Sequence, residues 1–226
     1  MIGTCQGHYL SVMSKTLLIA GATGLIGSTT LQFALKDARF SHVIVVARRP
    51  LGIAHPKLTE WTHPDLLLAL RNARVDAVLC CLGTTMRQVG GDKGRFIHVD
   101  KDLVLGLGRW ARDQGVPVCG VVSAVGADAA SRIFYNRVKG EMEEGLRAQG
   151  HPVLHIFQPS ILTGPRSEVR VGERIGIAIA SVLAPITPMR YRPMPHDVLA
   201  AALLNAVFQP TGGTHDTAGI RRLAAG

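Results

Sequence analysis

Five short apolar runs punctuate this chain, and they hardly alternate between hydrophobic and polar positions. Thr16–Ala20 (TLLIA), His42–Ala47 (HVIVVA), Ala77–Leu82 (AVLCCL), Val116–Ser123 (VPVCGVVS) and Val153–Phe157 (VLHIF) read as strands. Between them the apolar positions recur every three or four residues. One such segment follows the first strand and ends near Ala38. A second covers Phe96–Gln114 and closes at Gly115, and a third covers Phe134–Gln149 and stops at Gly150. Leu66–Leu70 is weakly helical. Strands that are apolar on both faces, separated by helices, predict a parallel sheet covered on both sides, an α/β doubly wound architecture. After Pro159 the pattern loosens. Ile175–Leu183 reads as a helix, Pro185–Pro195 as irregular chain, Asp197–Phe208 as a strong terminal helix, and the tail from Thr211 is rich in Gly and Thr.

Composition narrows this picture. The 226 residues are 47% hydrophobic and 18% charged, enough for one core with a modest appendage and unlike a disordered or fibrous chain. With aromatics at 5%, that core is built from Leu, Val, Ile and Ala. A formal charge of +9 is compatible with nucleic acid, acidic lipid or a phosphorylated small molecule. No zinc finger, basic helix or aromatic-basic platform accompanies the charge, so no nucleic acid partner is expected. No uninterrupted apolar stretch reaches 18 residues, and no lipidation motif is present, so no membrane association is expected. Residues 1–14 read as a flexible or irregular extension. They lack the basic start and continuous apolar stretch of a signal peptide, and Met13-Ser14-Lys15 leads straight into the first strand. A cytoplasmic location is the expectation. Cys5, Cys80, Cys81 and Cys119 have no metal-site spacing and are expected to be reduced and structural; His151 and His155 share a strand, and no metal is assigned.

The chemistry begins at the turn after the first strand. Gly21, Gly24 and Gly27, with Thr23, Leu25 and Ile26 between them, form GxxGxxG between a strand and a helix. Such a loop lets a pyrophosphate approach backbone N–H groups at a helix N-terminus. Plain turns are the alternative. No GK[ST] closes it, which argues against an ATPase or GTPase. The second strand ends in Arg48-Arg49, where NAD-selective proteins place an acid. Guanidinium groups suit a 2′-phosphate, so NADP is the expected cofactor, with NADPH preferred over NADH; a solvated basic strand end is the other reading. Leu82, Gly83, Thr84 and Thr85, at the end of the AVLCCL strand, are expected to line the same crevice. Ser123 ends the next run, and Tyr135 and Lys139 lie four apart on one helical face. A serine to hold a substrate oxygen, a tyrosine to protonate it and a lysine to lower the tyrosine pKa and bind ribose would together serve the reduction of a carbonyl by hydride from the nicotinamide. Packing for Tyr135 and solvation for Lys139 are the bland alternatives. The arginines Arg166, Arg170, Arg174, Arg190 and Arg192 suit either an acidic substrate or a basic surface.

GATGLIG, VVARR, CCLGTT, FIHVDKDLVLGLGRWARDQGV, VVSAVGAD and FYNRVKGEMEE together resemble the extended or atypical short-chain dehydrogenase/reductases, in the branch of Tat-interacting-protein-like oxidoreductases. The resemblance spans roughly residues 15–208. It implies an NADP-binding Rossmann domain over 15–159 and a small substrate-side lobe with terminal helix over 160–226, packed on the same domain. It matches Ser123, Tyr135 and Lys139 to the catalytic trio, and Gly21, Gly24, Gly27 and Arg48 to cofactor contacts. It also places Pro159 and Ser160 near the nicotinamide. Two positions depart from the pattern. The acid that relatives use to contact adenine has Glu60, in Thr59-Glu60-Trp61, as its nearby candidate, and the usual Arg-Pro is Gln158-Pro159. The implied activity is hydride transfer between NADP and a small carbonyl or alcohol. The alternative is a non-catalytic NADPH-binding scaffold or redox sensor with a protein partner. The two long helices leave room for a homodimer.

Overall fold

Leu17, Leu18 and Ile19 have no exposed surface, which puts the first strand at the centre of a sheet rather than at its edge. The computed structural model describes residues 14–164 and 192–226. In chain order its first half holds β1 (Lys15–Ala20), α1 (Leu25–Lys36), β2 (Phe40–Ala47), β3 (Leu58–Thr62), β4 (Ala77–Cys80), α2 (Lys93–Ile97) and α3 (Leu103–Asp113). Next come β5 (Val118–Val122), α4 (Phe134–Ala148), β6 (Val153–Phe157) and β7 (Leu162–Thr163). The last part holds β8 (Met194–Pro195), α5 (His196–Ala206), β9 (Gly213–His215) and α6 (Thr217–Ala224).

Seven strands form one sheet in the order β3-β2-β1-β4-β5-β6-β9, and every pairing is parallel. Chain direction reverses its progress across the sheet between β1 and β4, which opens a crevice at their carboxyl ends. Successive β1 residues point to opposite faces. Leu17 and Ile19 join α1, α5 and α6 through Leu31, Ala34, Leu199, Leu203 and Ile220. Leu18 and Ala20 join α3 and α4 through Val104, Leu107, Met142 and Leu146. Burial of such side chains contributes roughly 1.5–3 kcal/mol each. The C-terminal residues 194–220 thus share a core with β1 and α1.

The doubly wound sheet matches the sequence pattern, and four local features differ from it. β3 has no apolar run: its sequence is LTEWT and only Trp61 is buried, because it lies at the sheet edge. The predicted helix over Phe96–Gln114 is interrupted at His98–Asp102, where the Leu103 N–H reaches back five residues to the His98 carbonyl. Leu66–Leu70 holds only a single tight turn over Leu67–Ala69. The Gly/Thr tail contributes the seventh strand, β9, and a capped helix, α6, whose Asp216 accepts from the Gly219 N–H. The predicted helix over Ile175–Leu183, Arg166, Arg170, Arg174 and Arg190, and nearly all of the N-terminal extension lie outside the described residues.

Candidate functional site

The turn from β1 into α1 is shaped by two close approaches. A Cβ on Gly21, whose φ is +85°, would lie 2.6 Å from the Cys81 carbonyl, and one on Gly27 would lie 2.1 Å from the Gly21 oxygen. The first α1 turn therefore sits hard against the loop, with the Gly24 N–H donating to Gly21 O at 3.0 Å. Gly24 caps α1 without a side-chain hydrogen bond, and no acid stands in the first turn. The helix thus presents its positive end unopposed.

That end opens into a cleft of about 1090 Å³ between the carboxyl ends of β1, β2 and β4. Of the residues singled out from the sequence, Gly21, Thr23, Gly24, Arg48, Arg49, Leu82, Gly83 and Thr84 line it. Arg48 and Arg49 are exposed, and neither is ion-paired among the described residues. Ile26 and Gly27 are buried, Leu25 and Thr85 are half-buried, and none of the four lines the cleft. Glu60 does not face the cleft: its carboxylate accepts the Leu51 N–H at 2.8 Å. Asp65, just beyond β3, lines the wall instead.

Ser123, Tyr135 and Lys139 are not part of the cleft lining, and Gly83 connects the cleft to Lys139 alone among them. A Cβ there would be 3.5 Å from Asp100 Oδ1 and 4.0 Å from Lys139 Nζ. Asp100, which the sequence places with Lys101 at the start of the long helix, facing either the cleft or a partner, makes that connection. It lies in the widened turn between α2 and α3, is 1% exposed, and pairs with Lys139 Nζ at 2.8 Å. Its other oxygen accepts the Thr84 N–H at 2.8 Å. One carboxylate therefore ties the loop after β4 to the lysine of α4. Burial by itself would lower the Lys139 pKa, but its surroundings, the Asp100 carboxylate foremost, outweigh it and hold the ammonium above its usual value.

Tyr135 stands at the start of α4, its ring 5.7 Å from that of Phe96 and partly open to solvent. Burial raises its pKa; Lys139 pulls the other way, and Asp100 pushes it up again. The expectation that Lys139 lowers the tyrosine pKa meets a counter-charge that the sequence pattern did not reveal. Here the phenol holds its proton. Ser123 follows β5, and its hydroxyl donates to Glu143 Oε1 at 2.5 Å. Glu143, one turn beyond Lys139 on α4, is also buried. It accepts from Gln158 Nε2 at 2.9 and 3.0 Å and from Arg147 Nη2 at 3.0 Å. Gln158 thus contacts this carboxylate through its amide nitrogen. Pro159 accepts the Val125 N–H through its carbonyl, and Ser160 turns its hydroxyl to the Arg192 carbonyl rather than to the cleft. Glu143 is the acid that sequence reading missed, and its signal was its place at the third step of a Tyr-Lys-Glu row spaced by four.

Of the described cysteines, Cys81 lines the cleft. Cys80, Cys81 and Cys119 are free thiols. Burial pushes Cys80 up to about 11 and Cys119 up to about 12, and raises Cys81 as well.

No family model matches the chain. It is 32% identical over 164 residues to the mitochondrial protein FMP52 of Eremothecium gossypii, covering 72% of this chain and 73% of that one. To HTATIP2 of Rattus norvegicus it is 29% identical over 209 residues, covering 89% and 85%. Among solved structures, MoeE5 in complex with UDP-glucose and NAD aligns with a TM-score of 0.66 at 16% identity, over 93% of this chain and 81% of that one. The Bordetella bronchiseptica enzyme WbmH in complex with NAD+ gives 0.64 at 16%, over 90% and 75%. At such identities the structural likeness speaks for the fold. The cytoplasmic expectation is corrected here, because the FMP52 relatives are named mitochondrial.

Proposed function

This chain belongs to the atypical short-chain dehydrogenase/reductases, alongside FMP52 and HTATIP2, and from that membership we propose that it is an NADP-dependent oxidoreductase acting on a small carbonyl or alcohol. One observation carries the reading: the helix end at Gly24, the Arg48-Arg49 pair and the Gly83-Thr84 loop border a single cleft, and Gly83 abuts the Asp100–Lys139 pair.

The residues present fit a phosphorylated dinucleotide. A diphosphate meets backbone N–H groups beside Gly24, where no side chain intervenes. Arg48 and Arg49 would hold the 2′-phosphate, with Asp65 on the same cleft wall. Lys139, close behind Gly83, would hold the ribose of the nicotinamide half. When bound, the nicotinamide supplies or takes the hydride. Tyr135, a phenol in this environment, gives its proton to the substrate oxygen as the carbonyl is reduced. Asp100 fixes Lys139 and, through the Thr84 N–H, sets the loop that faces it.

A screen of small aldehydes and ketones for NADPH oxidation tests this. With any that reacts, Tyr135→Phe lowers the rate by about 100-fold or more and leaves NADPH affinity unchanged. A second reading has its own support: Asp100 offsets the charge of Lys139, and the Ser123 hydroxyl is already taken by Glu143. That arrangement suits a scaffold that binds NADPH without turnover. NADPH binding with no carbonyl reduced, and no effect of Tyr135→Phe on any measured rate, decides for it.

A further inference from the structure

The loop after β4 gathers its donors on one atom. Thr85 and Gln88 form a capping box: the Gln88 N–H donates to Thr85 Oγ1 at 3.2 Å, and Gln88 Oε1 accepts the Thr85 N–H at 3.1 Å. The Thr84 and Thr85 hydroxyls donate to the same oxygen, each at 3.3 Å. The Thr84 N–H goes to Asp100. Both threonines, expected from the sequence to line the crevice, thus have their donors already committed. Gln88 does not. A backbone N–H can only donate, so the side-chain atom that meets Thr85 is the oxygen, and the two hydrogens on Nε2 point away from it. Gln88 lines the cleft, and its Nε2 has no acceptor among the described residues.

We propose, resting on the dinucleotide reading above, that Gln88 is a cofactor-binding residue whose amide donates to the diphosphate. Strand order indicates which part of the ligand it would meet. In the sheet β1 lies between β2 and β4. Arg48-Arg49 follow β2 on one side of the glycine turn. The Gln88 loop follows β4 on the other side and begins where Cys81 packs against Gly21. A diphosphate at the start of α1 is therefore flanked by the Gln88 loop, with the 2′-phosphate across β1 from it. The residue type fits this role. Glutamate closes a capping box as well as glutamine does, but it would set a carboxylate on the cleft wall. Glutamine performs the same local task and turns two hydrogens towards the ligand instead of a negative charge. Asp100, holding the Thr84 N–H, fixes the other end of the wall on which this donor stands.

Gln88→Glu separates this contact from a purely structural role. Its carboxylate still accepts from Thr84 and Thr85, so the turn and the Tm stay as in wild type, while the donor becomes a negative oxygen. NADPH and NADH are titrated by fluorescence, and ADP-ribose, which carries the diphosphate without nicotinamide, by calorimetry. Gln88→Glu is expected to weaken all three about tenfold or more at low salt, and the loss shrinks as salt rises. Gln88→Met removes the donor without adding charge. It is expected to weaken the three alike by about fivefold, and to lower Tm because it opens the capping box. Wild-type affinities in Gln88→Glu overturn the proposal. So does a loss with glutamate while methionine binds like wild type, which would be charge without a contact. A loss that spares NADH or ADP-ribose also overturns it, since the amide would then meet the 2′-phosphate or the nicotinamide half. Wild-type protein that binds none of the three removes the dinucleotide reading and the proposal with it, whereas wild-type binding that Gln88 does not influence overturns the proposal alone.

Discussion

Two glycines one helical turn apart, Gly24 and Gly27, separate what the phosphate loop does for the fold from what it does for a ligand. A methyl on Gly27 would lie 2.1 Å from the Gly21 oxygen, 2.7 Å from its carbonyl carbon and 3.0 Å from Ala22 Cα. All three are backbone atoms, so relief requires the loop itself to move. Overpacking of this severity costs about 3 kcal/mol, and the better helix propensity of alanine returns about 1 kcal/mol. The net loss of about 2 kcal/mol lowers Tm by about 4–8 °C in a chain of this length. A methyl on Gly24 meets only the Gly21 oxygen at 3.5 Å, an ordinary contact, and the backbone there is extended with φ −82°. Gly24→Ala therefore keeps the wild-type Tm but projects a methyl where a pyrophosphate would approach. Its NADPH affinity is expected to fall about tenfold, or about 1.4 kcal/mol. Thermal unfolding by circular dichroism and NADPH fluorescence titration on both variants check this. A Gly24→Ala protein that binds NADPH like wild type, or a Gly27→Ala protein that melts like wild type, refutes the reasoning.

Replacing Arg48 and Arg49 together by Ala is expected to weaken NADPH about tenfold or more at low salt and leave NADH unchanged, with the difference shrinking as salt rises; equal losses for both nucleotides would contradict a 2′-phosphate contact. Asp100→Asn leaves the Lys139 ammonium buried without its counter-charge, at a cost of about 3–5 kcal/mol and about 6–20 °C in Tm; an unchanged melt would show the pair to be dispensable. His155 lies buried with its Nδ1 2.9 Å from His215 Nε2, and burial followed by that neighbour pulls its pKa down to about 4. An unfolded histidine titrates near ~6.5, so the unfolded chain takes up a proton that the fold excludes. Stability is full above that value and declines, by up to about 3 kcal/mol, as the pH falls towards about 4. Tm measured against pH follows this decline, and His155→Phe flattens it; the same slope in the variant would assign the effect elsewhere.

Buried strands were legible in the sequence because a parallel sheet with both faces covered needs unbroken apolar runs, and Thr16–Ala20 or Ala77–Cys80 can be little else. Edge strands carry no such obligation. β3 and β9 have one or no buried residue, and their polar sequences LTEWT and GTH do not announce a strand. The glycines of the loop and the Tyr135-Lys139 spacing stood out because their geometry is local. What faces them is not local. Asp100 lies 39 positions before Lys139, and nothing but the fold reveals that they pair. Gln158 meets Glu143 because β6 runs beside β5 and α4, a relation between elements that no short motif contains. The cleft could be read from the chain, whereas the counter-charges that set its protonation could not.

The central claim is tested most directly by titrating the purified protein with NADPH and with NADH at fixed salt and following nicotinamide fluorescence. The account predicts saturable NADPH binding, with NADH weaker by about tenfold or more. Equal affinities would contradict the role given to Arg48 and Arg49, and binding of neither would contradict the assignment of the cleft itself.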